Sequence, residues 1–303
     1  MVTKAAKGHI KGTQGEVNGP AGKLKLFILE VFVVLLFLLF MVPFFIVICD
    51  SAKVSIDIIK DPIGLPSDWS QLPRNITALL NNPNMRYWPA FTSSLVITVL
   101  SLVVIAIASS MAAWVLARSK KMWSSVIFML FVAAMVIPFQ VVMLPLLSWF
   151  RVVSEFIGIP LLSSYQGIIF AYLGFGSSMT IFILHGFIKG VPLELEEAAT
   201  IDGCMPAGTF FRIVLPLLQP VFITVLILNG IWIWNDFLLP SLMLGFNGAV
   251  QTLPIAVTSF VGSYVKQWDL ILTSTLMAIL PVIVLFLFAQ KYIIKGMVDG
   301  SIK

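Results

Sequence analysis

The chain predicts an all-α membrane protein with six transmembrane helices, and three observations carry that prediction. Hydrophobic residues make up 59% of its 303 residues and charged residues only 11%, whereas a soluble domain is about 25% charged. Mean hydropathy is +1.02. Apolar stretches at about 26–48, 91–117, 123–147, 167–189, 213–240 and 270–294 are each long enough to cross the bilayer, because about 30 Å of hydrocarbon requires roughly 20 apolar residues.

Residues 1–25 are rich in Gly and Lys and almost free of large apolar side chains. Such a segment buries too little surface to offset ordering, so a mobile cytoplasmic tail is expected. The stretch from Leu26 to Ile48 is too long for the apolar core of a signal peptide and lacks a small-residue cleavage site, which makes it the first span. Bulky Ile48 before Cys49 argues against a lipoprotein cleavage box. Residues 49–90 contain Pro62, Pro66, Pro73 and Pro83 with Trp69 and Trp88, and read as an external loop with short helical pieces.

The later spans carry Pro138, Pro145 and Pro281, as the first carries Pro43, and each proline frees a backbone carbonyl that neighbours must satisfy. Pairs of small residues four apart, Gly186 with Gly190 and Ala113 with Ala117, permit close helix approach. With the N-terminus inside, 13 of the Lys and Arg residues lie in the cytoplasm and 6 outside, and Arg118-Ser119-Lys120-Lys121 is the clearest inner loop. Both termini are therefore expected in the cytoplasm. The basic balance of +5 is spread beside apolar runs, which signals topology and not a nucleic-acid partner. Cys49 and Cys204 fall on opposite membrane faces in this arrangement, so no disulfide joins them.

Catalytic patterns are missing. There is no phosphate-binding glycine loop, no metal-binding His-Glu-x-x-His and no nucleophile elbow. The few ionisable residues near the spans are His185, Lys189 and Asp236. His185 suits a packed histidine better than a proton relay. Asp236, within Trp232-Ile233-Trp234-Asn235-Asp236-Phe237, has two readings: a pathway carboxylate, or an interfacial one hydrogen-bonded to its neighbours in a tryptophan belt.

The segment between the fourth and fifth spans, 190–212, is the most informative. Pro192 at a first helical position and Glu194, Glu196 and Glu197 in the opening turns favour a short helix, and Gly203 stops it. Ala198 and Ala199 form a narrow patch flanked by acids, suited to docking in a groove of a protein partner. A helix lying on the membrane would instead be rich in Lys and Arg.

Glu197-Ala198-Ala199, Asp202-Gly203, Ile213 and Leu215-Pro216 resemble the EAA loop of binding-protein-dependent ABC importer permeases. Trp234-Asn235-Asp236-Phe237 and Gln290-Lys291-Tyr292-Ile293-Ile294-Lys295-Gly296 are similar to the carbohydrate-uptake branch and within it to the maltose-type G subunit, with Cys204 where alanine is usual. The resemblance runs from about residue 25 to 303 and implies a type I ABC importer permease fold. It also implies a homologous F-type permease as partner, two copies of a cytoplasmic ATPase that bind the ATP and Mg, and an external solute-binding protein. This chain would hold no cofactor, metal or catalytic residue and would translocate a sugar, with an oligosaccharide expected, by alternating access. Glu196, Glu197, Ala198, Ala199, Asp202, Gly203, Leu215 and Pro216 would couple it to the ATPase. Trp234, Asn235 and Asp236 are the candidate pathway residues. A secondary transporter or channel working without an ATPase is the alternative, and it predicts paired intramembrane charges that the sequence lacks.

Overall fold

The computed structural model describes residues 20–83, 85–246, 248–260 and 267–301, and all regular structure among them is helical. Five helices are long and apolar enough to cross a membrane, or six if a bent pair is one span. Lys4, Lys7, Lys11, Lys266 and Lys303, used above to argue topology, lie outside the described residues.

The first helix, α1 (Pro20–Ser51), begins before the expected tail ends, so residues 20–25 are helical, and residues 1–19 lie outside the described residues. Three short pieces come next in the order of the chain: α2 (Ser55–Lys60), α3 (Gln71–Leu80) and the lead into α4 (Tyr87–Arg118). A polar knot ties the C-terminal end of α1 to them. The Lys53 ammonium donates to Asp50 Oδ1 at 2.7 Å and to the Asp61 carbonyl at 2.8 Å, and Asn75 Nδ2 donates to the carbonyls of Ser51 and Lys53, both at 2.9 Å. These satisfied bonds allow a charged pair to be buried.

The expected third span at 123–147 is not one helix. It divides into α5 (Met122–Val136) and α6 (Phe139–Ile157). Pro138 offers no N–H and forces Ile137 into an extended conformation, which ends the helix before it. Pro43, Pro145 and Pro281, by contrast, lie inside continuous helices.

The bundle is organised around α4 and α7 (Tyr165–Ile188). Small or hydroxylated residues dominate the buried face of α4, at Ser94, Thr98, Ser101, Ser109 and Ala113, with Ile105 between them. Ile105 lies against Gly176 of α7, and Ser109 Oγ donates to Ser177 Oγ at 2.9 Å. Short side chains bring the backbones close, and the hydroxyls bond inside the apolar layer. Gly186 and Gly190 behave differently, being exposed, whereas Ala113 is fully buried.

After α7 the chain forms α8 (Glu194–Ile201), α9 (Pro206–Thr209), a wide π-type turn (Phe210–Val214) and α10 (Leu215–Leu217). It then turns by 82° into α11 (Gln219–Asn235). Pro216 and Pro220 flank this bend and remove two backbone donors. The fifth span is thus shorter than the expected 213–240, and the residues after Asp236 form a separate α12 (Leu238–Met243). The chain continues through α13 (Leu253–Val257) to α14 (Trp268–Ser301).

Candidate functional site

The helix α8 starts at Glu194, so Pro192 lies just ahead of it and not at its first position. Its end is a glycine cap. Gly203 sits at φ +81°, its N–H donates to the Thr200 carbonyl at 3.1 Å, and the Cys204 N–H reaches back to Ala199 at 2.9 Å. These are the paired bonds of a Schellman motif, which glycine enters without steric cost.

The two faces of α8 differ from the expectation at two positions. Glu196 is only 7% exposed and turned into its own chain, where its Oε1 accepts from Arg118 Nε at 2.8 Å and its Oε2 from Trp114 Nε1 at 2.9 Å. Ala199 is likewise buried. Placing Glu196 among the partner-facing acids and Ala199 on the docking patch is therefore corrected, because a three-residue step returns both to the inner side of the helix. The outward face carries Glu194, Glu197, Ala198 and Asp202, together with Ile201, which is 86% exposed. A large aliphatic side chain so bare beside acids fits a partner surface better than water.

Leu215 and Pro216 lie in the bent arm that returns from α8 to the membrane, Leu215 half-buried and Pro216 exposed. Phe210 anchors that arm, fully buried against Trp114 with ring centroids 5.5 Å apart.

Within the bundle, a cavity of about 870 Å³ opens between the α5–α6 break and the helices α7 and α11, lined in part by Phe139, Trp149, Phe170, Asn229 and Trp232. Asn229 Nδ2 donates to Thr180 Oγ1 at 3.1 Å and to the Val225 carbonyl at 2.9 Å. None of Trp234, Asn235 and Asp236 lines this cavity. Trp234 donates to the Ala278 carbonyl on α14 at 3.2 Å and stacks edgewise on Phe91, and Asn235 Nδ2 bonds back to Ile231. Asp236 begins α12 by accepting from the Leu238 N–H at 3.0 Å, and its other oxygen accepts from the Tyr172 hydroxyl at 3.1 Å. Of its two readings, the bonded one matches this geometry. His185 is packed face to face on Phe128, with centroids 3.8 Å apart.

Asp236→Ala would leave the Tyr172 hydroxyl buried without its acceptor and α12 without its cap. We expect a loss of about 1–3 kcal/mol, read as a lower unfolding temperature in detergent. Combining it with Tyr172→Phe should cost less than the sum of the two.

Sequence missed Arg118 and Trp114. Arg118 reads as a topology charge, yet the two are four apart on one helical face at the end of a span, and that spacing is the signal that they can grip one carboxylate. Asn229 was missed as well, and its signal is an amide within an apolar run.

A bundle of apolar helices with an open aromatic-lined cavity and a short acid-faced helix held out beyond the spans defines the class of membrane transport subunits. The chain belongs to the family described as binding-protein-dependent transport system inner membrane component, whose profile matches residues 105–299. It is therefore a multi-pass permease subunit of a binding-protein-dependent importer. The probable starch degradation products transport system permease protein AmyC of Thermoanaerobacterium thermosulfurigenes is 40% identical, across 89% of this chain and 94% of its own. The arabinooligosaccharides transport system permease protein AraQ of Bacillus subtilis (strain 168) is 33% identical across 91% and 95%. A crystal structure of a bacterial ABC transporter involved in the import of the acidic polysaccharide alginate shares the fold, with a TM-score of 0.73 at 16% identity over 90% of this chain and 98% of that one.

Proposed function

We propose that this permease translocates an oligosaccharide, driven by two copies of a cytoplasmic ATPase that dock on the α8 helix of this chain and on its counterpart in a homologous F-type permease. An external solute-binding protein delivers the sugar. ATP and Mg belong to the ATPase, both termini of this chain lie in the cytoplasm, and the chain itself makes and breaks no bonds. The two permeases alternate between inward- and outward-facing states as the ATPase opens and closes.

The observation that carries this reading is α8: a capped helix with Ile201 bare at its tip beside Glu197, held rigid from behind by Glu196. Relatives named for starch degradation products and arabinooligosaccharides support the substrate class. The pairing with a second permease is supported by α1, whose most apolar window has no residue buried against the rest of the chain, and by the open aromatic cavity.

The test is a pull-down from detergent with a tag on this chain, comparing wild type with Glu197→Lys. We expect a second permease and an ATPase with the wild type, and loss of the ATPase from the variant by about tenfold or more, as for a reversed charge in a docked interface. A chain that purifies alone and still transports would instead be a secondary carrier.

A further inference from the structure

We propose that Glu196, Arg118 and Trp114 form an internal latch that carries the motion of the α8 helix directly into the second span, α4. This rests on the coupling role proposed above for α8.

Chain continuity is a poor route for that motion. The helix joins the span before it through Gly190, and the return arm bends by 82° on its way into α11. Glycine backbones yield readily. The side-chain brace, by contrast, is short and buried. Both oxygens of Glu196 are engaged, and the Arg118 guanidinium approaches Oε1 a second time at 2.7 Å through Nη2. That same Nη2 donates to the Val191 carbonyl at 2.9 Å, so one side chain holds α8 and the segment leading into it. A charge-assisted contact in which two guanidinium nitrogens converge on one carboxylate oxygen is among the stronger side-chain bonds.

Trp114 closes the frame. Its Nε1 holds Glu196 while its ring packs on Phe210 of the return arm. One turn of α4 therefore grips the lead-in, the helix and the way back. The span so gripped packs along α7, which lines the aromatic cavity. Glu196 is a positioning residue here, since its carboxylate is used up inside the chain, in contrast to the exposed Glu197.

The test uses the complete importer, reconstituted in proteoliposomes, with transported solute and hydrolysed ATP measured together. In Glu196→Gln and Arg118→Leu the ATPase should remain bound and keep hydrolysing, while solute moved per ATP falls about tenfold, the order expected when a charge-assisted bond is lost. Glu196→Arg combined with Arg118→Glu should recover much of the ratio. Trp114→Phe keeps an aromatic ring facing Phe210 while removing the N–H along with the five-membered ring, so it disturbs the fold less than a truncation and should lower the ratio by a smaller factor. An unchanged ratio in Glu196→Gln and Trp114→Phe, or loss of the ATPase from Glu196→Gln, would overturn the latch. A wild-type chain that binds no ATPase would overturn the coupling reading itself.

Discussion

Gly203→Pro should leave the spans inserted and abolish uptake. At φ +81° the Gly203 backbone is in the left-handed region, and proline is fixed near −65°. Proline also lacks the N–H that bonds Thr200, and the Cys204 bond to Ala199 depends on the same turn. With the Schellman cap gone the last turn of α8 unwinds, and Ile201 no longer projects from a defined surface. A penalty of about 3 kcal/mol or more at that site corresponds to a drop of about 100-fold in the population of the coupled state. Protease protection would report normal insertion while uptake falls to background. Gly203→Ala, which keeps the N–H and only strains φ, should retain a measurable fraction. Unchanged transport in the proline variant would remove α8 from the coupling path.

Gly167→Ala is expected to be as damaging, through assembly and not coupling. Gly167 occupies the first turn of α7, where its N–H donates to Ser164 Oγ at 3.3 Å. A Cβ added there would lie 1.6 Å from the Leu161 carbonyl oxygen, a backbone atom that has no rotamer to escape by. The loop or the helix must shift, at a cost of at least about 3 kcal/mol, the upper end of overpacking penalties. That shift would disturb the Ser163 N–H bond to Met243, which joins the loop to α12. We expect little protein to accumulate in the membrane and an unfolding midpoint well below that of wild type. Gly174→Ala is the control, since no atom lies within 4 Å of its added Cβ, and near-normal amounts of that variant would show that the effect belongs to the contact.

What the sequence made legible follows from the kind of signal each feature leaves. Helix identity in a bilayer depends on length and polarity alone, so α1, α4, α7 and α14 could be located from runs of Leu, Ile, Val and Phe. Breaks were harder. Pro138 ends a helix whereas Pro145, seven residues later, lies within one, and the residue type alone does not distinguish the two. The glycine cap of α8 was readable because it is a local backbone requirement. The inward turn of Glu196 was not, since it depends on Arg118 and Trp114, some eighty residues earlier in the chain. Trp234 and Asp236 stand out as polar atoms in an apolar run, but their partners on α14 and α7 lie 44 and 64 residues away in sequence, beyond any local pattern.

The ties at the C-terminal end of α1 bear on the order in which the protein comes into being. The Lys53 and Asn75 bonds join residues close in sequence, but Ser55 Oγ donates to Asp269 Oδ1 at 2.7 Å across a separation of 214 residues, so that fastening needs the last span, which the ribosome delivers after everything between them. Until then the body of α1 stands in lipid without α14. It is the most apolar of the candidate spans among the described residues, and about twenty such side chains each favour the bilayer by a few tenths of a kcal/mol. Its composition is thus suited to solitude during synthesis, whereas Phe139–Ile157, the least apolar of those spans, arrives when companions are already present.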